Sequence, residues 1–174
     1  MNKVGYKQRE CSDNKKISEF LSKTRTGVIG MISDATPYAV PVNYVWCDGS
    51  IYFHGMGSGK KENILKAEPS VCFTVYEEYG TVTDPVPCHA DTAYMSVMLF
   101  GKAEKVTEID EIVKVLQAIL DKYTPQFYKQ ALSGDFVGKY RSAMDGNVVS
   151  VYRITPKEMT AKENSEEEYK LFGH

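Results

Sequence analysis

The alternation of apolar and polar positions predicts a mainly β chain with a few helices. Dense runs of β-forming residues recur along the sequence, and Gly, Pro, Asp and Asn separate several of them. Some links are short, such as the Asp48-Gly49 pair, which is typical of an antiparallel hairpin. We place the strands at residues 26–33, 38–46, 51–54, 71–77, 92–106 and 147–155. The pattern therefore predicts a six-stranded antiparallel barrel with peripheral helices.

Apolar residues at helical spacing predict helices between these strands. Proline ends one of them at Pro69, because its ring cannot continue a helix. The apolar stripe of the longest helix is assigned to the core, and it carries no evident chemistry. We place the helices after a cap at Ser12 or Asp13, at residues 60–67, from a cap at Thr107 to Tyr123, and around residues 127–132.

Two features interrupt the predicted strands. Pro41 cannot donate to a hydrogen-bond ladder, so it marks an edge strand, a bulge or a place where the sheet opens. An opened strand would leave unpaired amides at residues 42–44 that could face the edge of a planar heterocycle. The second feature is a loop at residues 79–91, whose length is typical of a functional lid or a partner-covered segment. Gly101 is the expected site of a bulge.

Length and composition are those of an ordinary single domain. The 174 residues are 43% hydrophobic and 25% charged, and the net charge of −2 argues against a nucleic-acid binder driven by bulk electrostatics. No apolar run approaches the roughly 20 residues of a membrane span, and the polar start lacks the features of a signal peptide. We therefore expect a cytoplasmic protein with one domain over residues 1–174, in which residues 1–12 and 157–174 form peripheral arms.

The four cysteines give no metal or redox motif. Cys11, Cys47, Cys72 and Cys88 are far apart, and no Cys-x-x-Cys pair occurs, so we expect no metal site. Cys72 lies in an apolar strand and is interpreted as inert core. Cys88 stands beside His89 in a proline-containing loop, but a single Cys-His pair lacks a full ligand set.

The stretch from Ile51 to Pro69 is the strongest candidate for a binding site. It reads as a strand, a glycine-rich turn at residues 55–59 and a helix that begins with Lys60 and Lys61. Glycines let backbone amides approach a ligand, and a helix start offers free N–H groups and partial positive charge. Two lysines at that point predict an anion site, with phosphate as the expected anion. The alternative is an ordinary glycine turn before a surface helix with two solvated lysines.

The sequence resembles the FMN-binding split-barrel family that includes pyridoxamine 5′-phosphate oxidase, and most closely its nitroimidazole-resistance-like branch. The order and separation of four motifs match that family from about residue 10 to 160. By contrast, no Gly-x-Gly-x-x-Gly lies between a strand and a helix, which argues against a Rossmann domain. The motifs are Val40-Pro41-Val42-Asn43-Tyr44, Ile51-Tyr52-Phe53-His54 with Gly59-Lys60-Lys61, Val71-Cys72-Phe73-Thr74-Val75, and Tyr94-Met95-Ser96-Val97 with Gly101-Lys102-Ala103-Glu104.

The resemblance implies a split-barrel homodimer with two FMN sites at the subunit interface. Backbone groups of residues 41–44 would line the isoalloxazine edge, residues of the glycine loop would hold the phosphate end, and two residues of a neighbouring strand would touch the flavin. The implied contacts are Pro41, Val42, Asn43 and Tyr44; His54, Met56, Ser58, Gly59, Lys60 and Lys61; and Ser96 and Val97.

Two departures limit what the resemblance carries over. Relatives commonly have Arg where this chain has Met95, which removes a cation from that position. The Arg- and Trp-bearing C-terminal segment of true pyridoxamine 5′-phosphate oxidases is missing, and the only tryptophan is Trp46. Recognition of a substrate phosphate as in those oxidases is therefore not expected.

The leading functional hypothesis is an FMN-dependent oxidoreductase that reduces small aromatic nitro- or quinone-like compounds, with NAD(P)H as electron donor. His54 is the candidate catalytic residue, as a proton donor or a ring-orienting group; the alternative is a histidine that only ties the strand end to the loop. The other hypotheses are a non-catalytic flavin carrier or sensor, a haem or deazaflavin binder on the same fold, and a dimeric interaction module. His54, His89 and His174 offer at most one plausible axial haem ligand.

Overall fold

The computed structural model describes residues 4–165 and 171–172. Within that part, the chain forms six strands and four α-helices, and two single-turn 3₁₀ helices lie at Lys7–Arg9 and Pro87–His89. The strands are β1 (Thr26–Ser33), β2 (Thr36–Cys47), β3 (Ser50–Gly55), β4 (Ser70–Val82), β5 (Asp91–Lys105) and β6 (Ser150–Asn164). The helices are α1 (Asn14–Lys23), α2 (Lys60–Ala67), α3 (Ile109–Tyr123) and α4 (Gly134–Lys139).

The strands form a closed antiparallel barrel in the order β1-β2-β3-β6-β5-β4. Alternate residues of each strand point inward, and large side chains such as Tyr44, Phe53, Phe73 and Leu99 are fully buried there. The predicted mainly β fold with peripheral helices is confirmed. The bulge expected at Gly101 is also present, as a register shift between Phe100 and Gly101 in the β5–β6 ladder.

The barrel is closed between β2 and β3 along only part of their length, and we call the place where the two strands separate the split. Residues 44–47 of β2 pair with β3, whereas residues 36–43 pair only with β1 among the described strands. Pro41 lies in this half-paired part, opposite Val28 of β1, so among the alternatives left open at this proline the structure shows an unpaired edge of β2 rather than a bulge. Helix α2 fills the core below the gap with Ile64 and Leu65, both buried.

Helix α3 packs on the outside of the barrel over a second apolar cluster. Val115 and Ile119 contact a group that includes Val45, Tyr52 and Val151. The apolar stripe predicted for this helix is core only in part, because Ile109 is 41% exposed and Leu120 faces a cavity. None of the described helices is long and apolar enough to cross a membrane.

The β4–β5 connection is shorter than predicted. Strand β4 continues to Val82, which pairs with Asp91, so the loop expected at residues 79–91 is reduced to residues 83–90. The reason is a register shift between Glu78 and Gly80, where Gly80 has a φ of 138°. Only glycine adopts that backbone conformation without strain, and it lets the ladder continue beyond the irregularity.

The predicted C-terminal arm at 157–174 is wrong for residues 157–164. Strand β6 continues to Asn164, which pairs with Tyr94 of β5. Ala161 is buried in the barrel core opposite Val97, and the Asn164 amide donates to the Thr92 carbonyl at 2.7 Å, so both residues hold the extension to β5. The described part of the N-terminal arm, residues 4–12, lies along β6, where the Cys11 amide donates to the Ala161 carbonyl. Residues 1–3, 166–170 and 173–174 lie outside the described residues.

The predicted cap of α1 is present, whereas the predicted cap of α3 is not. The Asp13 carboxylate accepts hydrogen bonds from two amides of α1, as expected. Thr107 is not the cap of α3, because that helix begins at Ile109 after Glu108, which makes no side-chain cap. The helix expected around residues 127–132 is instead α4, further along, where the Ser133 hydroxyl accepts from the Phe136 amide.

Candidate functional site

The glycine loop between β3 and α2 is built from backbone shapes that larger residues would disturb. Gly59 caps α2 with a φ of 103°, a conformation that strains any other residue. At Gly57 an added Cβ would lie 2.8 Å from both the Asn147 Cβ and the Val148 carbonyl oxygen. The loop therefore packs closely against residues 145–148, and its glycines are required at these two positions.

The first turn of α2 spans the gap between the two strands that separate. The Lys60 ammonium lies 4.4 Å from the ring centroid of Tyr38 on β2. The Lys61 ammonium lies 5.3 Å from the ring centroid of Phe53 on β3. Both distances are typical of cation–π contacts. The predicted pair of lysines is therefore held at the open end of the split, one against each strand.

Lys61 carries a partly buried charge that no described residue balances by an ion pair. No carboxylate of the described residues lies within ion-pair distance of its ammonium. Burial lowers the pKa of Lys61 below its ordinary value, and the nearby Glu62 charge only partly opposes that shift. An anion bound at this turn would compensate the desolvated ammonium.

Glu62, the next residue, is almost fully buried and anchors α2 to the barrel. Its carboxylate accepts hydrogen bonds from the Tyr152 hydroxyl at 2.7 Å, the Lys105 ammonium at 2.9 Å and the Ser150 hydroxyl at 3.3 Å. Burial alone would raise the pKa of Glu62, but these bonds outweigh it and lower the pKa. The ionised carboxylate thus fixes the turn that carries Lys60 and Lys61.

Ser58 forms a hydrogen bond with Asp145, a residue that was not predicted to belong to the site. Its hydroxyl donates to the Asp145 carboxylate at 2.8 Å, so its proton is not directed at a phosphate in this arrangement. Asp145 also accepts from Asn147, which fixes the segment that packs on the glycine loop. Met56 is exposed on the same loop. A role for Ser58 as a phosphate donor requires that its bond to Asp145 be exchanged.

The open edge of β2 ends at Asn43, one residue earlier than predicted. The Tyr44 amide donates to the Tyr123 hydroxyl at 2.9 Å, so the expectation of an unpaired amide at Tyr44 is wrong. Tyr123, the last residue of α3, therefore satisfies the Tyr44 amide, a long-range contact that the sequence does not indicate. Pro41 and Asn43 are exposed, whereas the Val42 and Tyr44 side chains point into the core.

Ser96 and Val97 are not brought to the loop within one chain. Both lie on β5, which β4 and β1 separate from β2, so the expected neighbouring strand is not adjacent. The Val97 side chain is fully buried in the barrel, because inward and outward positions alternate along β5. Ser96 lies on the outer face, while Met95 points inward and therefore offers no surface contact in place of the Arg of relatives.

His54 lies at the end of β3 and lines a cavity of about 710 Å³ between the barrel, α3 and α4. The histidine is exposed, but the surrounding protein desolvates the ring and lowers its pKa, and the Lys61 charge adds to that effect. The imidazole is therefore neutral at pH 7. The cavity was not predicted, because distant segments form its walls.

The cysteines form no site in the described residues. No group of three His, Cys, Asp or Glu side chains there could hold a metal ion. Cys88 is exposed beside His89, whose Nδ1 lies 3.4 Å from Asp84. Cys72, expected in the core, is only partly buried, because its position on β4 faces outward.

The family of the chain follows from its sequence. A model of the family described as pyridoxamine 5′-phosphate oxidase matches residues 13–163. The protein belongs to the pyridoxamine 5′-phosphate oxidase family. The match covers both strands of the split, the glycine loop and nearly all of β6. A search of the curated proteins finds no match.

Solved structures share the split-barrel fold of this member of the pyridoxamine 5′-phosphate oxidase family. The flavocytochrome Anf3 from Azotobacter vinelandii aligns with a TM-score of 0.75 at 19% identity, over 97% of this chain and 77% of Anf3. The FAD and heme binding protein from Mycobacterium smegmatis gives 0.74 at 15% identity, over 91% and 74%. A 5-nitroimidazole antibiotic resistance protein homologue from Bacteroides thetaiotaomicron gives 0.67 at 23% identity, over 88% and 85%.

Three residues of the site were not predicted from the sequence. Glu62 reads as an ordinary charge in the first turn of a helix, and nothing local shows that it is buried. Asp145 and Tyr123 lie far from the glycine loop and from β2 in sequence. Their roles depend on long-range packing, so no motif or spacing indicates them.

Proposed function

We propose that this member of the pyridoxamine 5′-phosphate oxidase family binds FMN at the split between β2 and β3 and acts as an oxidoreductase on small aromatic nitro- or quinone-like compounds. The observation that carries the proposal is Lys61: a partly buried ammonium with no described carboxylate partner, at a glycine loop and a helix start. A phosphate supplies the missing negative charge there.

The site fits the two ends of a flavin mononucleotide. Lys60, Lys61 and the free amides of the α2 start would hold the phosphate, with Gly59 allowing close approach. The open β2 edge at Pro41 to Asn43 would face the isoalloxazine ring. Bound flavin supplies the two-electron redox chemistry, and the protein contributes position and electrostatics. Neutral His54, beside Lys61, would orient the ring or the acceptor and hold a proton at its imidazole.

A homodimer would complete the site. The outer face of β1, β4 and β5 exposes Val28, Met98 and Tyr76, an apolar surface suited to a second copy. Ser96 lies on that face, so a second copy would bring its own Ser96 towards the flavin. The proposal includes NAD(P)H as the electron donor.

The test is the affinity of the flavin-free protein for FMN. Lys61→Met should weaken binding about tenfold or more, because a charge-assisted hydrogen bond contributes about 1.5–3 kcal/mol. Lys60→Met should weaken binding less, since Lys60 is more exposed, and the double variant should lose most affinity. Quenching of flavin fluorescence on titration measures each constant, and parallel titration with FAD decides between the two nucleotides.

The control is Lys66→Met, which removes the same charge from the last turn of α2. The Lys66 ammonium lies 3.3 Å from the Glu62 carboxylate, but the shorter bonds from Tyr152 and Lys105 to that carboxylate remain in this variant. The variant should leave FMN affinity within about twofold, because the helix-terminus effect falls off within a turn. Equal losses in Lys61→Met and Lys66→Met would indicate a general effect of net charge and would contradict the assigned phosphate position.

A non-catalytic flavin carrier is the second candidate, since no residue of the sequence is an unmistakable acid, base or nucleophile. Anaerobic mixing with NADH or NADPH distinguishes the two functions, because bleaching of flavin absorbance followed by reoxidation by menadione would exclude a carrier. A haem is the alternative cofactor, in line with the names of two structural neighbours and with His54 at an apolar cavity. A Soret band in the purified protein would identify it.

A further inference from the structure

The cavity beside His54 is large, and no side chain of the described residues 4–165 and 171–172 fills it. Its volume of about 710 Å³ lies within the range of small-molecule sites, about 300–1,000 Å³. Two aromatic residues on its wall are substantially exposed, Phe136 at 57% and Tyr140 at 44%. Most of the wall is aliphatic or aromatic and comes from α3, α4 and the segment between them, including Ile112, Leu116, Leu120 and Leu132.

The few polar residues on the wall favour a ligand without charge. Lys105 lines the cavity, but its ammonium is paired with the buried Glu62 carboxylate at 2.9 Å. His54 is neutral at pH 7, because burial and Lys61 lower its pKa. A neutral imidazole and the Gln130 amide offer hydrogen bonds to carbonyl or nitro oxygens but no compensation for an anion. A buried unpaired charge would be costly against these walls.

His54 also joins the cavity to the proposed cofactor site. It is the residue before Gly55, where the glycine loop begins, and the Lys61 charge acts on its imidazole. A ligand that touches His54 therefore lies beside the loop and the open edge of the split barrel. The opposite end of the same ligand would extend along α3 towards Leu120.

We infer that this cavity is a binding site for a neutral aromatic molecule of one to three rings that carries carbonyl or nitro oxygens, with a naphthoquinone as the simplest example. The binding itself is independent of the flavin. The further statement that this molecule is the electron acceptor rests on the proposed function.

A pair of fluorescent probes tests the site directly. N-phenyl-1-naphthylamine is neutral, and 1-anilinonaphthalene-8-sulfonate has the same skeleton with one negative charge. The neutral probe should bind with one site per chain and at least tenfold more tightly than the sulfonate, and menadione should displace it. Equal or tighter binding of the sulfonate would overturn the neutral-ligand assignment, and no binding of the neutral probe would overturn the site.

Wall variants locate the probe. Leu116→Trp places a larger side chain in the cavity and should weaken the neutral probe at least tenfold. Lys114→Trp introduces the same residue on the same helix, at an exposed position on a face away from the cavity, and should leave binding unchanged. Leu132→Trp on the opposite wall repeats the test if Leu116→Trp reduces the thermal midpoint. Equal binding in all three variants would overturn the location.

Other occupants give distinct results. A Soret band with hemin that is lost in Leu116→Trp, without displacement of the probe by menadione, would assign the cavity to haem and overturn the inference. A shift from dimer to monomer in Leu116→Trp would assign the wall to a second copy, with the same consequence. The Lys60→Met/Lys61→Met variant separates this inference from the proposed function, because it should lose most FMN affinity and still bind the neutral probe. A wild-type protein that binds the probe but not FMN would refute only the proposed cofactor. A wild-type protein that binds FMN but not the probe would refute only the cavity site.

Discussion

Lys61 and Glu62 are neighbours with opposite environments, and the contrast shows how single residues define the site. Glu62 turns into the barrel, where hydrogen bonds to Tyr152 and Lys105 hold its charge. Lys61 turns towards the glycine loop, where burial lowers its pKa and no described carboxylate balances it. The first charge stabilises the position of the helix, whereas the second has no described counter-charge, which is the basis of the proposed phosphate site. From the sequence alone, both residues would be expected to be charged, exposed side chains in the first turn of a helix.

At this scale we expect His54 to make stability depend on pH. Its pKa in the folded protein is lowered from the ordinary 6.5, so the unfolded chain binds the proton more readily. The free energy of unfolding should therefore fall as pH decreases through the window below 6.5. His54→Gln should show a smaller fall between pH 7.5 and 5.5 in urea titrations of the flavin-free protein.

An NMR titration of the His54 ring protons provides an independent measurement. Its midpoint should lie below 6.5 in wild type and move upward in Lys61→Met, because a neighbouring positive charge has been removed. A midpoint above 6.5, or identical pH dependence of unfolding in wild type and His54→Gln, would contradict the assigned environment.

Among the elements, the end of α3 determines how far the barrel opens. The Tyr123 hydroxyl accepts from the Tyr44 amide at 2.9 Å and lies within hydrogen-bond distance of the Tyr44 and Arg25 carbonyls. The Lys122 ammonium donates to the Thr24 and Tyr44 carbonyls, and burial lowers its pKa to about 8. The helix thus substitutes for a strand at the point where β2 leaves β3.

We therefore expect Tyr123→Phe to lower the free energy of unfolding by about 1–3 kcal/mol, the cost of a buried amide without a partner. Urea unfolding measures the change. Tyr76→Phe, the same substitution at an exposed position of β4, should change stability by less than about 0.5 kcal/mol. A Tyr123→Phe value as small as that control would show that water replaces the hydroxyl and that α3 does not close the edge.

The whole molecule presents an outer barrel face that suits a second copy. Val28, Thr74 and Met98 lie side by side across β1, β4 and β5, and Val28 and Met98 are 40% and 38% exposed. Phe100 lies on the same face of β5, beside Cys72. Burial of such a surface favours association, and it would bring Ser96 of one copy near the split of the other.

We expect light scattering to give the mass of a dimer and Met98→Glu to give a monomer, because a charge would be buried at the centre of the interface. FMN affinity should fall with the dimer, since each site would lose the residues of the second copy. Tyr6→Glu, an equally drastic change at an exposed residue away from this face, should leave the mass unchanged. A monomeric wild type that binds FMN tightly would refute the shared site.

Local patterns were sufficient for most of the fold. The bounds of β1 and α2 follow directly from turn residues and from Pro69, and the opening at Pro41 follows from the missing amide hydrogen. Errors occurred where long-range pairing extends an element, as in β6, whose charged residues conceal a strand that β5 pairs along its length. Propensity describes each segment by itself, whereas a ladder stabilises residues that would otherwise form a loop.

The sequence by itself determined the order of the strands along the chain, the glycine loop and the position of the two lysines. These features depend on backbone freedom and on the spacing of residues along the chain. Only the tertiary structure decided that Lys61 has no described ion-pair partner and that Glu62 is buried. It also decided that the Tyr123 hydroxyl accepts a hydrogen bond from the Tyr44 amide and that His54 lines a cavity. Each of these depends on groups far apart in sequence, and burial and electrostatic pairing are properties of the packed molecule rather than of any segment.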